Sequence, residues 1–186
     1  MSVLSDRDIR THLRDRTDGY AVGMRPLPSD QVIQPASVDL SLGDEWITYP
    51  ETHWEHIDLD DVHPMLKLYK STQYILAPGE FILGTTEEFV EIPHDVVAVV
   101  NGKSSLARIG LLIHITAGFI DPGFKGKVTL EIVNLNKMPI ILRAGKPICQ
   151  ISFMQLSSPA LYPYGHPSRN SKYQNQEQVQ GSLYEG

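Results

Sequence analysis

A mainly β sandwich or barrel is the fold this sequence predicts, and three observations lead to it. Short apolar runs alternate with turn signals at intervals of ~8–12 residues through most of the chain. Helical periodicity is confined to the N-terminus and one short stretch near Ser105–Ile109. The 186 residues, 41% of them apolar and 20% charged, suit one soluble domain with a real core.

Taken in order, Ser5 followed by Asp6 and Asp8 signals a helix start with a hydroxyl cap and an acidic first turn. Ile9 and Leu13 at helical spacing predict a short amphipathic helix over 6–15. Arg7, Arg10 and Arg14 lie along it, as a solvated face or a subunit contact. Glycine, proline and aspartate dominate Thr17 to Ile33, which reads as loop. Val38, Leu40 and Leu42 alternate as a strand with one buried face, leaving Asp39 and Ser41 on the other. Tyr74–Leu76 and Phe81–Leu83 flank Ala77-Pro78-Gly79-Glu80, a strand–turn–strand signal. Phe89–Pro93, Val96–Val100, Val128–Val133, Ile140–Leu142 and Ile148–Met154 complete the short β segments. From Ser157 the composition turns to Tyr, Pro, Gly, Asn and Gln. The chain therefore divides into a folded domain over 1–165 and a C-terminal tail over 166–186, flexible and too poor in apolar residues to fold alone.

Bulk properties exclude several classes. The net charge of −6 argues against a general nucleic-acid binder. No apolar run reaches the roughly 20 residues that span a bilayer, and no signal stretch opens the chain, so it reads as intracellular and cytoplasmic, without a membrane partner. The single cysteine, Cys149, permits neither a disulfide framework nor a multi-cysteine zinc site, and in PICQISF it reads as a buried thiol. His53, His56 and His63 have no supporting ligand spacing and read as surface loop residues.

Chemistry concentrates between Gly102 and Glu131. Gly102-Lys103-Ser104-Ser105 with Arg108 offers a tight turn, two hydroxyls and two cations, a set suited to a phosphate chain. It lacks the spacing of a complete P-loop. Gly118 to Gly126 reads as a hairpin-like turn carrying Asp121 and Phe124. Glu131 interrupts the apolar strand VTLEIV. Alternation puts Val128, Leu130 and Ile132 on the core face and Glu131 opposite, either in solvent or in a lined pocket where partial burial would raise its pKa.

These residues carry a resemblance. GKSSLARIGLLIHITAGFIDPGFKGKVTLE closely resembles the dCTP deaminases of the dUTPase-like superfamily. LSDRDIR, IQPASVDLSLG, LAPGEFILGTTEEF, PICQISF and SPALYPYG with SKYQNQ resemble it too, in the same order. The resemblance implies a dUTPase-like β-barrel or sandwich of the β-clip type, assembled as a homotrimer with active sites shared between subunits. It implies that Glu131 is the general acid/base for water attack on C4 of cytosine, and that Ser104 positions that water. Lys103, Ser105 and Arg108 would hold phosphates, Asp121 the sugar 3′-hydroxyl, and Phe124 would pack on the deoxyribose. Ile115, Thr116 and Ala117 would read the base through their backbone. Gln150, Tyr164, Lys172 and Gln176 would serve triphosphate and tail contacts, the tail closing as a lid.

Mg²⁺ would arrive on the triphosphate, with no direct protein ligand. No zinc is implied, since the H-x-E and P-C-x-x-C pattern of zinc deaminases is missing from the sequence. After the Thr-Ala pair, enterobacterial-type members have His-Arg, whereas this chain reads Gly118-Phe119. That form resembles bifunctional members that convert dCTP to dUMP and pyrophosphate, and dTTP would act as an inhibitor through the same pocket. A deaminase stopping at dUTP, a dUTPase alone and a non-catalytic nucleotide sensor are the competing readings.

Overall fold

The computed structural model describes residues 2–14, 21–49, 57 and 66–184. His53, His56 and His63 lie outside them. The described chain forms strands β1 (Ser2–Val3), β2 (Gly23–Arg25), β3 (Ile33–Gln34), β4 (Ser37–Thr48), β5 (Lys67–Lys70), β6 (Gln73–Leu76) and β7 (Phe81–Glu91). It continues with β8 (Val96–Gly102), β9 (Leu111–Ile113), β10 (Phe119–Ile120), β11 (Lys125–Asn134), β12 (Ile140–Arg143) and β13 (Pro147–Gln155). Two helices accompany them, α1 (Asp6–Arg14) and α2 (Ser104–Ala107). No helix among the described residues is long and apolar enough to cross a membrane.

One sheet runs β10-β8-β13-β4-β7-β11-β9, with β1, β2, β3 and β5 paired along it, and β6 with β12 forms a second, two-stranded sheet. The long strand β4 joins the two halves. Its first residues pair with β13, as in Val38 with Ile151, and its last with β7, as in Ile47 with Leu83. The change of partner falls between Ser41 and Leu42, and the pairing with β7 is then irregular between Leu42 and Trp46. Side chains from both halves fill one core, including Leu40, Trp46, Ile82, Leu130, Ile151 and Phe153, all essentially inaccessible. Burial of large apolar side chains from so many non-local strands is the main stabilising term.

Several expectations hold at residue level. Ser5 caps α1, its hydroxyl accepting the Asp8 N–H while Asp8 accepts the Ser5 N–H, a reciprocal capping pair. Ile9 is buried and Leu13 packs against the core. Arg10 and Arg14 both pair with Asp30 within the chain. Cys149 is buried, and burial pushes its thiol up into an unreactive range.

Other expectations are corrected. The 17–33 loop contains β2, which pairs with β7, and the start of β3, which pairs with β4. Phe81–Leu83 and Phe89–Glu91 belong to a single strand, β7. Tyr74–Leu76 does not form a hairpin with it; β6 pairs instead with β12, Ile75 opposite Ile141. Gly118–Gly126 is not a hairpin either, since β10 joins β8 while β11 joins β7 and β9. Asp39, on the face opposite Val38, Leu40 and Leu42, is buried as well, with Lys103 reaching over it.

Candidate active site

The residues singled out in the sequence gather in two clusters, one on each side of β9. The first is a cavity of about 440 Å³ lined by Asn101 to Ser105, Ala107, Leu111 to Ile113 and Gln150. It forms where β8 ends and the chain makes the single turn of α2. Gly102 closes the strand, and Lys103 is the N-cap residue in an extended conformation. Leu106 packs against the core, which leaves Ser104 and Ser105 exposed. The opposite wall is a cross-strand row: Asn101 on β8 faces Gln150 on β13, which faces Asp39 on β4. Lys103, Ser104, Ser105 and Gln150 thus come together as expected. Arg108 caps the C-terminus of α2 and is exposed, but does not line this cavity.

The second cluster is built on β11. The alternation along VTLEIV is observed: Val128, Leu130 and Ile132 are buried, and Glu131 projects from the other face with its side chain 29% exposed. Its neighbour is His114, which the sequence reading passed over. The chain leaves β9 at Ile113, and His114 takes φ +61°, the left-handed region that is uncommon outside glycine and in which Asn, Asp and His are enriched. Its backbone N–H donates to the Glu131 carbonyl at 2.9 Å. Its imidazole, only 5% exposed, brings Nδ1 to 2.9 Å from Glu131 Oε2, within ion-pair distance though outside hydrogen-bonding angles. A histidine ending an apolar strand has no periodic signature. The one available signal was its place in the run between the two motif turns.

This pairing reverses the expected pKa shift. Burial alone pushes the Glu131 carboxyl up, but His114 and the Ile115 backbone amide outweigh it and hold it below the usual range. His114 moves the opposite way: burial pulls it down, and Glu131 more than compensates, so it is raised. Glu131 is therefore a carboxylate at neutral pH, fit to accept a proton.

The remaining predicted residues fall around this face. Ile115, Thr116 and Ala117 are exposed on the loop after His114. Gly118 closes that loop against β8, where its carbonyl accepts the Val100 N–H at 2.8 Å. A Cβ on Gly118 would stand 2.5 Å from the Val100 carbonyl oxygen, so any side chain there must shift the loop that holds His114. Asp121 is exposed, and Phe124 packs edge-on against Tyr164 at 5.6 Å between centroids. The turn between them depends on Gly123, at φ +93°, whose Cβ would meet Pro163 at 2.7 Å.

The tail is ordered along the Glu131 face. Asn175 N–H donates to the Lys125 carbonyl, and Lys127 N–H donates to that of Gln176. The buried Gln176 amide donates to the Lys127 carbonyl and to Thr129 Oγ1. Val179 then packs with Ile47 and with Leu83, the cross-strand partner of Glu131, while its N–H donates to Glu45. Gln176 thus anchors the tail, and Tyr164 braces it by accepting the Tyr173 N–H on its hydroxyl. Lys172 lies over the Tyr184 ring at 5.8 Å.

A curled antiparallel sheet of this topology defines a protein of the dUTPase-like fold. A dUTPase of phage phi11 of S. aureus, a mutant described for coordination of a structural Mg(II) ion, matches 75% of this chain and 94% of its own at TM-score 0.51 and 15% identity. The 2′-deoxycytidine 5′-triphosphate deaminase of Agrobacterium tumefaciens matches 81% of this chain at TM-score 0.62 and 25% identity, this chain covering 47% of that one. A "dCTP deaminase, dUMP-forming" of Methanobrevibacter smithii is 42% identical, over 98% of this chain and 95% of that protein. Residues 3–156 match the model of the dCTP deaminase-like family, and the chain belongs to that family.

Proposed function

We infer that the protein converts dCTP to dUMP, pyrophosphate and ammonia, using two waters. The single observation that carries the chemistry is Glu131, held ionised beside His114 on a face crossed by the tail. Glu131 accepts a proton from the water that attacks C4 of cytosine. It returns the proton to the departing amine, so ammonia leaves and a uracil ring remains. Backbone groups of Ile115 to Ala117, on the loop that follows His114 beside Glu131, orient the base. Desolvation under the tail strengthens these contacts. A second water then cleaves the α–β phosphoanhydride, releasing dUMP and pyrophosphate. The near-full-length likeness to a dUMP-forming relative and the Gly118-Phe119 pair support this second step.

The reading gives the triphosphate to the Lys103, Ser104, Ser105 and Gln150 cavity, with Ser104 also helping to position the attacking water. Asp121 and Phe124 take the deoxyribose. Because Glu131 and Arg108 do not line that cavity in one chain, a homotrimer would complete each site with residues from a second copy. The exposed apolar Ile109, Ile115 and Phe119 favour such burial. Arg108→Ala then weakens dCTP binding by about 2 kcal/mol or more, as for a desolvated charge pair. Unchanged affinity by calorimetry removes Arg108 from the site.

Mg²⁺ fits this arrangement as a companion of the nucleotide. Asp39 is the carboxylate in the cavity's wall row, and no direct protein ligand is part of the proposal. The ion would neutralise phosphate charge. Inhibition by dTTP, which fills the same pocket, is part of the proposal, as is a cytoplasmic setting. Ammonia release from dCTP tests the deaminase reading directly, and its absence would favour a nucleotide sensor.

Residues 166–184 act as a lid in this reading. Deleting 170–186 should lower kcat/KM by at least tenfold while leaving the melting transition cooperative, since the core lies elsewhere. A fully active truncation would reduce the tail to packing alone.

A further inference from the structure

Asp39 is a buried carboxylate that the proposed chemistry leaves without a task. Its side chain is 10% exposed, and Oδ1 lies 2.5 Å from the Lys103 ammonium, itself 24% exposed. Gln34 Nε2 donates to the other oxygen at 3.3 Å. In the row Asn101–Gln150–Asp39 the first two residues line the cavity, and Ser37 Oγ donates to Gln150 Oε1 at 3.3 Å. Lys103 leaves the end of β8 and reaches back over the inner end of that row. The cavity's lysine is therefore committed to a carboxylate set just behind the wall.

We propose that Asp39 is a positioning residue that tethers Lys103 and sets how strongly the cavity draws a phosphate chain. This rests on the phosphate reading of the cavity and adds a control to it. A lysine ammonium is a compact point charge on a flexible stem, so it can turn between two anions at modest cost. While it is held by Asp39, half of that contact is negative, and an incoming polyphosphate meets nearly cancelled charge. Only a ligand that supplies enough negative charge draws Lys103 off. The tether thereby disfavours weakly charged ligands and stores the cation out of solvent. Glu88, partly buried, accepts the Ser41 N–H from the same strand as Asp39.

The test uses full-length protein and inorganic tripolyphosphate, titrated calorimetrically with EDTA and low salt. Asp39→Asn keeps the shape and the Gln34 contact but frees Lys103, so affinity should rise about tenfold. In Lys103→Met with Asp39→Asn the gain should shrink below about threefold, because the coupling runs through Lys103. Lys103→Met alone leaves a buried carboxylate without its counter-charge, and should lower the melting temperature by about 5 °C or more; the double variant should recover most of that. Wild type that binds tripolyphosphate while Asp39→Asn binds it no tighter overturns the tether alone. A gain that persists without Lys103, or a Lys103→Met protein as stable as wild type, also overturns it. Wild type that ignores tripolyphosphate overturns the tether and the phosphate reading together, whereas loss of ammonia release with tripolyphosphate binding intact would strike only the reaction.

Discussion

Glu131→Gln should lower ammonia release from dCTP by roughly 10³–10⁴-fold while dCTP still binds. The substitution keeps the length and most of the hydrogen-bonding capacity of the side chain, and removes only the base. Glu131 projects from the partly open face of β11, whereas Leu130 and Ile132 face the core, so the fold should survive. Binding should change little because the proposed phosphate contacts lie at the Lys103 cavity, which this carboxylate does not line. Single-turnover kinetics with a parallel binding titration separates the two. A variant that lost binding yet kept its chemical rate would remove Glu131 from the catalytic role.

His114→Ala should cost about 10²-fold in kcat and move the acid limb of the pH–rate profile upward. Burial alone raises the Glu131 pKa, and His114 is the largest of the influences that bring it below its usual value. With the imidazole gone, burial is opposed only by backbone amides, and the carboxylate takes up its proton at higher pH. The linkage has two edges. Glu131 is lowered from 4.5, so its contribution to stability is present above that value and fades as pH falls through the depressed one. His114 is raised from 6.5, so its contribution is full below that value and is lost as pH rises through the raised one. Wild type should therefore be most stable between the two. His114→Ala should flatten the alkaline loss, as a denaturant series across pH would show. An unmoved acid limb would mean that the 2.9 Å pair does not tune the base.

How far the sequence spoke depended on whether a signal was local. The face of Glu131 was legible because a strand repeats every two residues and VTLEIV alternates without interruption. The α1 start was legible for the same reason, since Ser5 and Asp8 act across three residues. Strand partners were not legible. Ala77-Pro78-Gly79-Glu80 does turn, with Glu80 accepting the Ala77 N–H, yet the strands on either side go to different sheets. Nothing within four residues can encode that choice, which is made by the core that Tyr74, Leu76 and Leu142 help to fill. Alternation placed Asp39 opposite Val38, Leu40 and Leu42, but could not show that Lys103, far along the chain, covers that face. His114 was hidden for a different reason. Its importance comes from a left-handed backbone angle that places the ring on Glu131, and an imidazole after LLI carries no mark of that.

The family likeness supplied roles that geometry in one chain separates. Glu131 and the Lys103 cavity lie on either side of β9, and the shared-site assembly is what would bring them onto one nucleotide. The product is where the proposed function is most exposed to contradiction. Purified protein with dCTP and Mg²⁺, sampled from the first turnovers, should show dUMP, pyrophosphate and ammonia rising together with no build-up of dUTP. Accumulation of dUTP, with ammonia released but no pyrophosphate, would contradict the dUMP-forming account and leave a deaminase that hands its product on.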